Sequence, residues 1–138
     1  MLAVYDFSTG YQIVGFLHIM AAVVAFGPLF IYPSMQRAGA GAEVAKLHLR
    51  MCLPALVLVW VLGIGLVGMS DDNFEMSQTW IVLALIVWVA LLVVSWFLIR
   101  PSLSDPSEQA RAKLAAGIGA THLLVVIAVY LMVFKPGW

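Results

Sequence analysis

Four stretches of this chain, residues 7–36, 51–70, 76–99 and 114–134, contain no Asp, Glu, Lys or Arg. An apolar bilayer core of about 30 Å is crossed by roughly 20 helical residues, and each stretch is long enough. Lipid offers the backbone no hydrogen-bond partner, so a spanning segment bonds internally as a helix or closes as a barrel. None of the four shows the alternation of a barrel strand. Composition agrees: 64% of the residues are hydrophobic and 10% charged, too few polar side chains to cover a water-facing surface. The expected fold is all-α, a polytopic four-helix up-down transmembrane bundle. It forms a single membrane domain over residues 1–138, with spans at about 10–32, 50–69, 79–99 and 114–134.

Charge gives this bundle a direction. Arg37, Lys46 and Arg50 flank the first connection and Arg100, Arg111 and Lys113 the third, six of the seven basic residues. Lys135 falls at the opposite end with Asp6, Asp71, Asp72 and Glu75. The positive-inside bias puts the basic connections in the cytoplasm and both termini outside, in a multi-pass protein of the cell membrane, a bacterial inner membrane. The first apolar run lacks a basic leader and is too long for a signal-peptide core, so it reads as a retained span. The net charge of zero points to no nucleic-acid partner, and lone Cys52 cannot form an internal disulfide.

Local signals mark helix ends and packing faces. Thr9 with Gln12 fits a capping box, and Asp105, Pro106 and Glu108 fit another that opens the fourth helix. The second helix begins near Ala42, and Pro28 and Pro54 should bend their helices and free a carbonyl. Small residues predict the faces that pack: Gly15, Ala22 and Ala25, then Gly63, Gly65 and Gly68, then the run from Ala115 to Ala120. The third helix, rich in Val, Leu, Ile and Trp, is expected to be the most lipid-exposed or partner-exposed of the four. Trp80 and Trp96 would anchor it at the two interfaces.

No glycine-rich phosphate loop, paired carboxylate or serine-nucleophile motif is present, and the segments between spans are too short for a catalytic domain. Enzymatic activity is not indicated. The chemistry rests with three histidines. His18 lies nine residues past Thr9 and His122 fourteen before Pro136, about 14 and 21 Å in from one face of the membrane. Gly15 and Gly119 each precede a histidine by three residues, which leaves room beside the imidazole for a flat cofactor. One reading is haem b, its iron held by His18 and His122 for electron transfer. A second is two structural histidines in a non-catalytic accessory subunit, and a third is a proton or substrate relay. Transport by four uncharged spans would need an oligomer. His48, Met51 and Cys52, with Met35 across the first connection, offer ligands for copper(I), although a lipid headgroup or partner suits His48 better. Expected partners are membrane lipid and other membrane subunits or further copies of the chain.

The segment from Leu17 and His18 to Gly27, and the end of the chain from Thr121 and His122 through Lys135, Pro136 and Gly137, resemble a bacterial four-helix membrane protein family of unknown function. The resemblance covers essentially the whole chain in length, span number and histidine placement. More distantly, the first helix is similar to copper-resistance-D-like proteins and four-helix protoporphyrinogen oxidases, which implies association with haem or porphyrin. The chain lacks the arginine and asparagine signature of the oxidases near its C-terminus.

The charge asymmetry makes a direct prediction. Cysteines introduced between residues 70 and 78 should react with an impermeant maleimide added outside intact cells, and those between 102 and 108 should not. Reversed labelling would invert the orientation.

Overall fold

The computed structural model describes residues 7–137, so Asp6 lies outside the described residues. Among these the fold is all-helical, with four helices long and apolar enough to cross a membrane. They are α1 (Thr9–Arg37), α2 (Gly41–Gly68), α3 (Thr79–Leu103) and α4 (Glu108–Phe134). The caps fall beside the residues expected from sequence. The Ser8 hydroxyl accepts from the Tyr11 N–H at 3.3 Å, and Gln12 reaches back to the Phe7 carbonyl instead of completing a box with Thr9. At α4 the cap is Ser107, bonded to the Ala110 N–H at 3.1 Å. Asp105 forms the preceding turn, accepting from the Ser107 N–H at 2.9 Å, and that bond holds its carboxyl below the usual carboxylate range.

Both ends of the bundle are tied by backbone contacts. At the basic end Gly39 takes a φ of +83° to close the turn from α1 into α2. Gln36 donates to the Ser102 carbonyl at 2.7 Å, and a Cβ on Gly41 would collide with the Leu103 carbonyl, so α2 starts against the end of α3. At the acidic end the buried Ser70 hydroxyl donates to the Val67 carbonyl at 2.7 Å and accepts from the Phe74 N–H at 3.0 Å. That folds Phe74 over Trp80, ring centroids 5.4 Å apart. Trp80 is therefore 5% exposed, part of a packed layer rather than an interface anchor. Lys135 lies over both rings, 5.6 and 5.8 Å from their centroids.

α1 packs chiefly along α2, and α3 along α4. The two pairs close on one another in layers: Leu29, Tyr32, Cys52, Ile99 and Leu114 toward the basic end, and Ala25, Ala55, Leu56 and Leu91 in the middle. α3 contributes buried residues to every layer, yet its apolar stretch is, with that of α1, less buried than those of α2 and α4. The tightest glycine on α4 is Gly117, where a Cβ would stand 3.0 Å from Ile99 and 3.3 Å from Leu98. Gly119 faces outward, with nothing within 4 Å of a Cβ, as do Gly65 and Gly68 on α2. The small residues of α4 thus split between an inner face and an outer one.

Gly117→Leu should force apart α3 and α4 and lower stability by about 1–3 kcal/mol, typical of overpacking. Gly119→Leu should leave the thermal transition of the isolated protein unchanged in mild detergent. Equal losses at both positions would contradict this packing.

Candidate functional site

The polar groups that the structure gathers are Tyr32 on α1, His48 and Cys52 on α2, and Ser95 on α3. Two prolines shape the ground they stand on. Pro54 and Pro101 lack the N–H that a regular helix would give to the carbonyl four residues earlier, and their rings crowd it. Each helix answers with a π-helical stretch just ahead of its proline, His48–Cys52 on α2 and Val94–Ile99 on α3. The Leu53 N–H bonds the His48 carbonyl and the Arg100 N–H the Ser95 carbonyl, so both wide turns begin or end on residues of the cluster. Tyr32 stands just before Pro33, after the 3₁₀ turn Gly27–Phe30 has tightened α1 at Pro28.

The resulting geometry is a continuous chain. The Tyr32 hydroxyl lies 3.0 Å from Cys52 Sγ and 3.1 Å from His48 Nδ1, and His48 Nε2 lies 2.8 Å from Ser95 Oγ. Tyr32 and His48 are 0% and 1% exposed, so water does not compete for these bonds. A neutral imidazole satisfies them in two ways. Cys52 can donate to Tyr32, Tyr32 to Nδ1, and Nε2–H to Ser95; or every donor reverses, from Ser95 through to Cys52. No charge is needed in either ordering. The void beside the cluster, reached also by Leu91 and Thr121, has a volume of about 10 Å³, room for one water at most. Thr121 gives its hydroxyl to the Gly117 carbonyl at 2.8 Å.

This placement differs from the one expected for His48. Counted along the sequence it sits at an interface, free for a headgroup, a partner or copper(I). In the structure it is a core residue with both nitrogens engaged. Met51 on the same helix is 37% exposed, and Met35 packs against the apolar layer toward the basic end. Among the described residues no three His, Cys, Asp or Glu side chains gather as a metal site. One signal pointed to the cluster: His48 and Ser95 each lie six residues ahead of a proline, inside or beside an uncharged stretch.

The histidine pair His18 and His122 is not brought together. His18 packs over Gly63 of α2, its Cε1 3.2 Å from where a Cβ would be, while Gly15 lies against Leu66. His122 stacks on Phe30, centroids 4.4 Å apart. Ala25 and Leu124 share the middle layer; His18 lies seven residues from the first toward the acidic end, and His122 two from the second toward the basic end. That separates the two histidines by about 13 Å along the bundle axis. Side chains lean toward the N-terminus of their own helix, so on antiparallel helices these two lean apart. His18 Nδ1 and His122 Nε2 are buried without a hydrogen-bond partner.

The chain matches no protein-family model, no curated protein and no solved structure, so none of these comparisons bears on the likeness of its first helix to porphyrin-associated families.

Replacing His48 by Ala strands the Tyr32 and Ser95 hydroxyls in an apolar core and opens a cavity. The expected loss is about 3 kcal/mol, against about 1 kcal/mol for Tyr32→Phe, which removes one hydroxyl but keeps the ring. Thermal unfolding in mild detergent reads both; a neutral His48→Ala would dissolve the cluster's structural role.

Proposed function

We propose that the protein is a four-span protein of the cell membrane, with basic connections in the cytoplasm and both termini outside, serving as a non-catalytic subunit of a larger membrane assembly. The charge partition supports the orientation, and four long apolar helices support the membrane location. The observation that carries the role is the outer face of α4. Ala112, Ala115, Ala116 and Gly119 are all exposed, and they recur at the three- and four-residue spacing of one helical stripe. Lipid tails gain little from small side chains, whereas a second helix gains close backbone approach. The partner is a transmembrane helix of another subunit. The histidine of the core is then structural, since its ring spans three helices of this chain.

Haem b electron transfer is the second reading. It draws on the unpartnered nitrogens of His18 and His122, and needs either their axial offset closed or a ligand from a second copy.

A photo-crosslinker at Ala116 should give a discrete protein adduct in intact membranes, and one at Val89, on the exposed face of α3, should give lipid adducts only. Gly119→Leu should abolish the first adduct. Two results would overturn the subunit reading: no protein adduct at Ala116, or a reduced Soret band in purified protein that disappears in His18→Ala and His122→Ala. An adduct at twice the chain's mass would replace a foreign subunit with a second copy.

A further inference from the structure

We infer that a cleft between α2 and α3 at the basic end is a binding site for the phosphate headgroup of an anionic glycerophospholipid. The inference rests on the membrane reading above. The cleft has a volume of about 590 Å³, and the residues that matter on its walls are Lys46, Leu49, Trp96, Phe97, Arg100 and Ser104. Their order along the bundle axis matches the amphipathy of a phospholipid. Lys46 and Arg100 stand at the rim, while Leu49 and Phe97 each lie three residues deeper on their own helices. One turn, about 4–5 Å, thus separates charge from hydrocarbon on both walls. Leu49 is 44% and Phe97 67% exposed, open to an acyl chain lying alongside.

The cationic groups are available. The Arg100 guanidinium lies 4.2 Å from the centre of the Trp96 ring, which orients it at the mouth and leaves its N–H groups for an anion. Lys46 pairs with Glu43 at 3.1 Å, but both side chains are more than half exposed, so that pair is weak and yields to a phosphate within reach. Ser104 adds a hydroxyl. Counting Glu43, the rim holds one surplus positive charge, which a monoanionic headgroup neutralises. A zwitterionic lipid carries its own counter-charge and gains less. Basic pockets between helices at the cytoplasmic level are where anionic headgroups are retained.

The test is native mass spectrometry of the protein released from nanodiscs of phosphatidylcholine containing a minor fraction of phosphatidylglycerol. Wild type should retain phosphatidylglycerol over phosphatidylcholine by roughly tenfold relative to the bulk ratio. Lys46→Ala with Arg100→Ala should bring retention to the bulk ratio, while Arg111→Ala with Lys113→Ala, at the same end but outside the cleft, should leave it unchanged. Inorganic phosphate added to a phosphatidylcholine sample should not raise the thermal transition, whereas phosphatidylglycerol should. No preference in wild type, or an equal loss in both double variants, would overturn the inference. Carbonate extraction of native membranes reads the membrane location separately: a protein released by carbonate fails that reading, and with it this one.

Discussion

The phenol of Tyr32, the thiol of Cys52 and the hydroxyl of Ser95 are held through one another and the ring of His48, in surroundings that are mostly apolar. Each unmet group would cost about 1–3 kcal/mol in such a setting. The register of α1, α2 and α3 is therefore coupled: sliding any one of them by a turn breaks at least one of these bonds. Apolar packing alone does not impose that. Leu, Val and Ile faces are nearly interchangeable between neighbouring turns, and where lipid replaces water the hydrophobic difference between alternative registers is small.

Proline is what lets the cluster form. Without Pro54 and Pro101, α2 and α3 would run as regular helices with every carbonyl paired within its own turn. The wide turns ahead of them rotate the following segments and bring His48, Cys52 and Ser95 to a common point. The same widening at the basic end accompanies the cleft between α2 and α3, so one backbone device serves a sealed polar core on its inner side and an open basic groove on its outer side.

The helices were legible because charge exclusion and length are long-range signals, insensitive to single residues. The start of α2 near Ala42 could be read from the spacing of Glu43, Lys46 and Arg50, and the structure begins that helix at Gly41. Caps were harder, since Ser8 and Thr9, or Asp105 and Ser107, offer the same chemistry one or two residues apart. Which face of a helix turns inward was not legible at all for α4. Gly117 and Gly119 are equivalent in composition, and only the positions of Ile99 and Leu98 decide that the first is buried. Residue counting also put His48 at an interface, because it falls in the turn ahead of the uncharged stretch that follows Arg50; in the structure that turn is already packed and His48 lies on the inner face of α2.

Depth counted from helix ends misled for a related reason. It treats the termini of α1 and α4 as level, yet side-chain layers, not termini, define common height in a bundle whose helices differ in length from 25 to 29 residues. Matching Ala25 with Leu124 through their shared layer removes that assumption and sets His18 and His122 about 13 Å apart. Each then answers to its own neighbour, His18 to Gly63 and His122 to Phe30. The glycine three residues before each histidine is incidental to that arrangement. Gly119 instead lies with Ala112, Ala115 and Ala116 on the exposed stripe of α4, where the proposed partner helix would pack, and not against the bundle itself.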